Sequence, residues 1–302
     1  MPITIAPITP GFAAEIGDID LRLPLPDEDM QAVREAFARY AVLVFTAQDL
    51  GIEQHLAFAA RFGPLERSVA TQMKDVKMRV PSEIADIANV DADGRIWDKD
   101  SRLRQFQLGN RLWHTDSSFK SPTGYASLLY ARSIAPIGGH TEFADLRAAW
   151  DSLPEARKAQ VDGLIAEHSL LHSRRRLGFT NFTEEERAAF APLPRPLVRT
   201  VPESGRRSLY LASHAGAIRG MGEPEAEALL AALTEHATQC QFVYTHRWRV
   251  GDLVMWDNRC TMYRGTPFDD LRWPRDMMRA TCSDLPDAFG QPEDKRQLAA
   301  QH

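Results

Sequence analysis

The chain has 302 residues, of which 44% are hydrophobic and 25% are charged, and its formal net charge is −5. This composition is typical of a globular protein and excludes a disordered chain. The lack of a basic excess argues against nucleic-acid or anionic-membrane partners. The three cysteines, Cys240, Cys260 and Cys282, exclude a disulfide framework and indicate a reducing compartment. Because the sequence has neither a signal-peptide pattern nor a run of about 18 apolar residues, we expect a cytoplasmic location.

Residues 1–65 predict a helix, a strand and a second helix that together support a sheet. Residues 27–40 place apolar side chains at helical spacing behind an acidic first turn. The apolar run 41–45 predicts a short buried strand, and 51–63 repeats a helical pattern. We interpret His55, which falls inside the second helix, as part of its solvent-facing surface.

The segment 66–110 is polar and irregular, which predicts a long lid-like or binding loop. Lys74, Lys77 and Arg79 form a small basic cluster inside it. This cluster is either a solvated face or a group that steers an anionic substrate towards the protein.

Short apolar runs dominate the chain from residue 112 onward, and turns containing glycine and proline separate several of them. Helical patterns interrupt these runs at 144–163 and 223–238. Many short strands with turn signals predict a barrel or sandwich, with the helices packed outside it. No linker is visible, so we predict one domain over 1–302 that ends in a polar tail at 287–302. The runs that predict strands are 125–134, 208–212, 240–248, 252–256 and 277–282.

The first candidate site is the sequence Trp113-His114-Thr115-Asp116. On a strand, residues i and i+2 point to the same face, so His114 and Asp116 can aim an imidazole and a carboxylate at one point. These are two of the three ligands of the facial triad that holds iron in non-haem oxygenases. A His-X-Asp pair alone is a weak signal, because a chain of this length often contains one by chance.

Colinear motifs along nearly the whole chain make the signal specific. With them the sequence resembles the taurine dioxygenase family of Fe(II)/2-oxoglutarate-dependent oxygenases, and within it the 2,4-dichlorophenoxyacetate (aryloxyalkanoate) dioxygenases. The resemblance implies a mainly β fold with flanking α-helices, built on a double-stranded β-helix (jelly-roll or cupin-like) core. The motifs that carry it are IGDIDLR (16–22), VLVF (42–45), HLAFAARFGPLE (55–66), ADIANV (85–90), LWHTDSSF (112–119), GGHTEFADLRAAWDSLP (138–154), HRWRVGDLVMWDNRC (246–260) and RATCSDLP (279–286).

The resemblance also implies roles for single residues. His114 and Asp116 match the first two metal ligands. Thr141 and Arg275 match the residues that hold the distal carboxylate of 2-oxoglutarate, and Arg279 matches the arginine at the anionic end of the prime substrate. The two arginines could exchange these roles, and either could instead form a structural ion pair. An arginine fork suits both tasks because it grips a carboxylate with two parallel hydrogen bonds. Two further residues are assigned to substrate binding, Asn89 and His214.

The chain departs from the family at the third metal ligand. The family has a histidine seven residues after the tryptophan of WDNR, and here that position is Tyr263. A phenol must lose its proton to bind a metal well, and its anion beside Asp116 would favour Fe(III) over Fe(II). Three readings stay open: an oxygenase with a His114/Asp116/Tyr263 site, a relative that binds small carboxylates without catalysis, and a ligand-substituted variant of an active oxygenase.

The resemblance therefore implies a dioxygenase that uses iron, 2-oxoglutarate and O2 on a small anionic substrate. An aryloxyacetate would be hydroxylated beside its ether oxygen and would collapse to a phenol and glyoxylate, with succinate and CO2 as coproducts. The iron is expected as Fe(II), or as Fe(III)-tyrosinate if Tyr263 is a ligand. A homo-oligomer is expected from the family, whereas nucleic-acid and membrane partners are not.

Overall fold

A computed structural model describes residues 3–73 and 77–284 of the chain, and these contain fifteen strands and eight α-helices. Residues 69–72, 108–111 and 240–242 form short 3-10 helices. The helices are α1 (Asp27–Tyr40), α2 (Ile52–Ala59), α3 (Arg102–Gln107), α4 (Leu146–Asp151), α5 (Glu155–Val161), α6 (Leu170–Arg175), α7 (Glu184–Ala189) and α8 (Glu223–Ala237). The strands are β1 (Thr4–Pro7), β2 (Ala13–Gly17), β3 (Val42–Phe45), β4 (Ile84–Ala88), β5 (Gly124–Ser133), β6 (Thr141–Asp145), β7 (Ile165–His168), β8 (Leu193–Pro196), β9 (Val198–Thr200), β10 (Arg207–Leu209), β11 (Ala215–Ile218), β12 (Val243–His246), β13 (Leu253–Asp257), β14 (Thr261–Gly265) and β15 (Asp276–Ser283).

The strands form four sheets in the described residues. The largest has seven strands in the order β1-β2-β3-β13-β5-β15-β4, and only its β2–β3 pair is parallel. Two three-stranded sheets have the orders β12-β6-β14 and β11-β7-β8, and β9 pairs with β10. Neighbouring strands are thus often far apart in sequence, as in the double-stranded β-helix that the resemblance predicts, and that prediction is confirmed.

The inner core lies between the seven-stranded sheet and the β12-β6-β14 sheet. Its buried members come from both sheets and include Val44, Leu129, Phe143, Trp256 and Tyr263. Because side chains alternate between the faces of a strand, the same strands send a second set of apolar residues outward. That set packs against α1 and α2 in a separate cluster. The N-terminal helices therefore lie outside the sheet, as predicted.

Helix α1 has the predicted bounds. Met30, Val33, Phe37 and Tyr40 are buried on one face, and the acidic first turn favours the positive end of the helix dipole. Helix α2 is shorter than the predicted range 51–63 and ends at Ala59.

The prediction that His55 lies on the helix surface is wrong. His55 is buried against the seven-stranded sheet (the main sheet), where its Nε2 lies 3.1 Å from the Leu128 carbonyl oxygen. The helical pattern is correct in this segment, but the face of α2 that carries His55 packs on β5.

The segment 66–110 is more regular than its sequence suggests. It contains β4, which pairs with β15 at the edge of the main sheet, and helix α3. For Arg79, one of the three residues of the predicted basic cluster, both predicted roles are wrong, because its charge is neither solvated nor free to steer a substrate. It forms ion pairs with Asp86 on β4 at 2.6 Å and with Asp276 on β15 at 2.5 Å, and these link the two strands. Lys74 lies outside the described residues, as does the predicted polar tail.

The predicted helical region 144–163 is interrupted. Strand β6 runs to Asp145, and α4 and α5 follow on either side of Pro154. The Asp145 side chain caps α4 by accepting hydrogen bonds from the backbone N–H groups of Arg147 and Ala148. Within the described residues, no helix is both long and apolar enough to cross a membrane.

Candidate active site

His114 presents an unpartnered nitrogen inside the protein. Its backbone pairs with that of Tyr263 through two N–H···O bonds of 3.0 and 2.8 Å, so the two residues face each other. The His114 Nδ1 lies 2.7 Å from the Leu112 carbonyl oxygen and therefore carries the proton, because a carbonyl can only accept. The buried Nε2 has no hydrogen-bond partner in the described residues. Burial lowers the pKa of His114 to about 4, so the ring is neutral and Nε2 carries a free lone pair.

The Asp116 carboxylate is held by a buried relay. The Ser127 hydroxyl donates to Asp116 Oδ2 at 2.8 Å and accepts from Asn258 Nδ2 at 2.9 Å. The Asn258 side-chain oxygen accepts in turn from the Asp116 backbone N–H and from Trp256 Nε1. These bonds fix the amide of Asn258 and aim the second carboxylate oxygen, Oδ1, towards His114 Nε2 at 3.9 Å.

Tyr263 and Arg279 meet at the same carboxylate oxygen. The Tyr263 hydroxyl donates to Asp116 Oδ1 at 3.0 Å, and Arg279 Nη1 lies 2.8 Å from that oxygen and 2.5 Å from the Tyr263 oxygen. Burial raises the pKa of Tyr263 well above its ordinary value, and the Arg279 charge opposes that rise. Tyr263 is therefore a neutral phenol here, with its ring centre 4.2 Å from that of His114.

Two of these side chains, His114 and Asp116, can bind a metal ion as they stand, and Tyr263 could be the third ligand after it loses its proton. The free lone pair on His114 and the oriented Asp116 oxygen are the donors that non-haem iron requires. Among the described residues, no group of three His, Cys, Asp or Glu side chains could hold a metal ion. The Tyr263 oxygen would complete a three-donor site, provided that the phenol loses its proton.

Arg275 and Asn89 both line a second cavity, which is smaller than the large cavity described below. The Asn89 side chain accepts from the Arg275 backbone N–H at 2.7 Å and donates to the carbonyl oxygens of Asp270 and Trp273 at 2.7 and 2.9 Å. Its amide is thus used to hold the turn before β15, and Asn89 is not among the residues that line the large cavity described below. Burial lowers the pKa of Arg275 to about 10, which leaves the guanidinium charged at neutral pH.

Thr141 is fully buried at the start of β6, where it faces His246 and Gly265 on the neighbouring strands. Its hydroxyl oxygen accepts a 2.9 Å bond from Trp248 Nε1, which leaves the hydroxyl proton free to donate to a ligand. The turn before it passes close to Arg275, since a Cβ at Gly139 would lie 3.5 Å from the Arg275 Nε.

A cavity of about 450 Å3 opens over the His114 and Asp116 donors, and Arg279 and His214 also line it. His214 is buried, with its ring centre 4.7 Å from that of Phe119 and its Nδ1 3.0 Å from the Ser173 hydroxyl. Burial lowers the pKa of His214 well below its ordinary value. Much of the remaining wall is apolar, with contributions from Val69, Met73, Ile87, Phe106, Phe119 and Leu170.

The structure thus brings His114, Asp116, Tyr263 and Arg279 into direct contact and places His214 on the same cavity. No sequence pattern points to Ser127, although its partner Asn258 lies in the quoted WDNR motif. A serine inside an apolar strand gives no sign of its partner, because that partner is about 130 residues away along the chain.

The double-stranded β-helix, together with His and Asp donors beneath a cavity, defines the chain as a protein of the non-haem iron oxygenase class. The comparison with known families agrees. The family model described as "Taurine catabolism dioxygenase TauD, TfdA family" matches residues 4–281. The chain belongs to this family of Fe(II)/2-oxoglutarate-dependent dioxygenases, and it is an enzyme of that class.

Individual relatives are similar over nearly their whole length. An alpha-ketoglutarate-dependent 2,4-dichlorophenoxyacetate dioxygenase from Cupriavidus pinatubonensis is 44% identical, over 94% of this chain and 99% of the relative. An (S)-phenoxypropionate/alpha-ketoglutarate-dioxygenase from Sphingobium herbicidovorans is 38% identical, over 88% of this chain and 90% of the relative. Among solved structures, AAD-2 in complex with Mn(II) and N-oxalylglycine matches with a TM-score of 0.92 and 46% identity, over 96% of this chain and 100% of that one.

Proposed function

We propose that this protein is a 2-oxoglutarate-dependent dioxygenase that oxidises an aryloxyalkanoic acid. An aryloxyacetate would be cleaved to a phenol and glyoxylate, with succinate and CO2 as coproducts. The observation that carries the proposal is the buried, unpartnered His114 Nε2 beside the oriented Asp116 carboxylate, in the lining of a largely apolar cavity. The similarity to dioxygenases of phenoxy acids supports the substrate class.

His114, Asp116 and Tyr263 would hold the iron. When bound, the iron supplies the activation of O2 that is coupled to the oxidative decarboxylation of 2-oxoglutarate. The protein supplies a neutral imidazole, a carboxylate fixed by Ser127, and a phenol oxygen.

Tyr263 would give up its proton when it binds the metal. Arg279 Nη1 already lies at hydrogen-bond distance from the phenol oxygen, so it would stabilise the negative charge that forms there. Together with Asp116, the phenolate would place two anions on the metal and favour the ferric state. We therefore propose that this site is harder to keep in the Fe(II) state than one with two histidines.

The distal carboxylate of 2-oxoglutarate would be held by Arg275 and Thr141. Arg275 offers a buried guanidinium, and Thr141 offers a hydroxyl proton that its other contact leaves free. Asn89, predicted to bind substrate, would act on the cosubstrate instead, because it positions the backbone of Arg275.

The ring of the prime substrate would occupy the apolar part of the large cavity. Arg279 and His214 would lie towards its polar end, since both line the cavity beside the metal donors. The apolar wall suits an aryl ring, whose transfer from water is favourable at about 25 cal/mol for each Å2 buried.

The direct test is a product assay with 2,4-dichlorophenoxyacetate, Fe(II), 2-oxoglutarate and O2. We expect the phenol and succinate in equal amounts, and we expect neither product from a His114→Ala variant. Failure of any aryloxy acid to yield phenol or succinate under these conditions would contradict the proposal for this chain.

One observation favours a second candidate, a protein that binds small carboxylates without turnover. Asp116 Oδ1 already accepts hydrogen bonds from Tyr263 and Arg279, so two of the three prospective metal ligands, Asp116 and Tyr263, are satisfied without a metal. Iron analysis and an optical spectrum separate the two candidates. A visible phenolate-to-Fe(III) charge-transfer band would support Tyr263 as a ligand, whereas purification without iron, together with failure to bind added Fe(II), would support the second candidate.

The composition supports an inference about the cellular setting. We infer a cytoplasmic protein without nucleic-acid or membrane partners, on the basis of its net charge of −5 and its free cysteines. A homo-oligomer remains a prediction, which analytical ultracentrifugation would test.

A further inference from the structure

Arg174, at the end of α6, is a buried cation without a compensating anion. Its relative exposure is 5%, its Nε has no hydrogen-bond partner, and its Nη1 donates only to the Ser173 hydroxyl, at 3.1 Å. It forms no ion pair with any carboxylate of the described residues. Burial lowers the pKa of Arg174 to about 10, so the guanidinium stays charged at neutral pH.

Such a charge is costly, because buried charges in proteins are almost always paired. Arg174 is one of the residues that line the large cavity, so a ligand that enters the cavity lies next to this residue. An unpaired buried charge that reduces stability is typical of a binding site, where the ligand supplies the missing anion.

Other cations on this cavity already have partners or lie in solvent. Arg279 is paired with Asp116, Arg79 with Asp86, and Lys120 with Glu66. The two remaining cations in the described lining, Arg67 and Lys77, are exposed. Among the cations that line this cavity in the described residues, Arg174 is therefore the one that is buried and has no compensating anion.

The surroundings of Arg174 indicate the rest of the ligand. The guanidinium carbon lies 4.4 Å from the ring centre of Phe106, which packs in one apolar cluster with Leu170 and Phe119. An anionic group bound here would thus have apolar surface next to it, which suits a molecule that joins a carboxylate to an aryl ring.

Gly109 fixes the place of the guanidinium. A Cβ at Gly109 would lie 2.0 Å from Arg174 Nη1, so a larger residue at this position would force the guanidinium to move. The backbone of Gly109 does not have a positive φ, so its conformation is one that an alanine can adopt.

We propose that Arg174 binds the carboxylate of the prime substrate, as a specificity-determining residue of the large cavity. The inference rests on the proposed function, and it identifies the Arg174 guanidinium as the group that binds the carboxylate of the aryloxyalkanoic acid. The distal carboxylate of 2-oxoglutarate would be bound by another residue, because Arg275 lines the second cavity and Arg174 lines the large one. The carboxylate of the substrate then neutralises Arg174 in the way that Asp116 neutralises Arg279.

The test compares an acid with a neutral analogue of the same shape. Wild-type protein and Arg174→Met are titrated calorimetrically with 2,4-dichlorophenoxyacetate and with its primary amide, without oxygen, in the presence and absence of Fe(II) and 2-oxoglutarate. We expect Arg174→Met to weaken binding of the acid by about 10- to 100-fold, as for loss of a charged hydrogen bond, and to leave the amide within about twofold. Arg175→Met is the matched control, since Arg175 is the exposed next residue of the same helix.

Two further readouts separate binding from a structural role. Removing an unpaired buried charge should keep or raise the melting temperature, whereas removing a structural ion pair should lower it. Gly109→Ala should weaken binding of the acid while the charge is retained. If Arg174→Met does not fold, Arg174→Lys and Gly109→Ala allow the same comparison of acid with amide.

The proposal is overturned if the wild-type protein does not bind the acid, or if Arg174→Met binds it as well as the wild type does. An equal loss for acid and amide, or a loss of affinity for 2-oxoglutarate alone, would also overturn it. Absence of turnover in wild-type protein would count only against the proposed function, because the titration measures binding whether or not the acid is oxidised.

Discussion

Substitution of Ser127 by alanine tests whether the buried relay behind Asp116 holds that carboxylate in place. The serine hydroxyl donates to Asp116 Oδ2 and accepts from Asn258 Nδ2, and it lies 3.1 Å from the Thr281 hydroxyl oxygen. Ser127 is fully buried, so water cannot replace these bonds without a rearrangement. The Asn258 amide cannot turn over to find another acceptor, because its oxygen already accepts from Trp256 and from the Asp116 N–H.

The expected cost follows from these contacts. A hydrogen bond to a charged acceptor contributes about 1.5–3 kcal/mol, and a buried donor left unsatisfied costs about 1–3 kcal/mol. With partial relaxation, we expect Ser127→Ala to lower the free energy of unfolding by about 2–4 kcal/mol. Because the carboxylate loses its orientation, we also expect metal affinity to fall by about 10- to 100-fold.

Urea unfolding and metal titration measure the two effects. Ser133→Ala is the matched control, since Ser133 lies at the end of the same strand and is only half-buried. A loss of less than about 0.5 kcal/mol for Ser127→Ala, together with unchanged metal affinity, would refute the role of the relay.

Two further predictions concern His55 and Asn89. Burial lowers the pKa of His55 to about 4 from 6.5, so the unfolded chain takes up the proton first. The free energy of unfolding should therefore fall as the pH drops from 6.5 towards 4, by up to about 1.4 kcal/mol per pH unit for this residue. His55→Gln should show a shallower slope in urea unfolding, and an unchanged slope would contradict the prediction. Asn89→Ala should raise the KM for 2-oxoglutarate by about tenfold and change kcat little, because Arg275 loses the support of its backbone. An unchanged KM in steady-state kinetics would argue against that role.

Local patterns in the sequence predict a helix or strand well where the interactions that determine it lie within that segment. The helix at 27–40 is found with the same bounds, because its apolar spacing and acidic first turn act within the segment. Strand β4 was not predicted, since five residues at the edge of a sheet carry too short a pattern. The burial of His55 was missed for another reason, because the neighbour that covers it comes from β5.

The candidate site was predicted from motifs, but its contacts were not. The resemblance names Arg279 and Tyr263, yet no sequence pattern shows that both meet the same oxygen of Asp116. Arg174 is harder still to find, because it is one of three consecutive arginines, 174–176. The other two are exposed, and only the phase of the helix separates the buried one from its neighbours.

The proposed function treats this site as that of an oxygenase with one altered ligand. The decisive measurement is the rate of succinate formation from 2-oxoglutarate, for the unmodified protein and for Tyr263→His, with Fe(II), O2 and 2,4-dichlorophenoxyacetate. A phenol with an ordinary pKa of about 10 costs about 4 kcal/mol to ionise at pH 7, whereas a neutral imidazole binds a metal without that cost. We therefore expect Tyr263→His to raise the rate by about tenfold or more, with phenol released in equal amount. A rate for the folded Tyr263→His variant no higher than that of the unmodified protein would contradict the assignment of Tyr263 to the metal site.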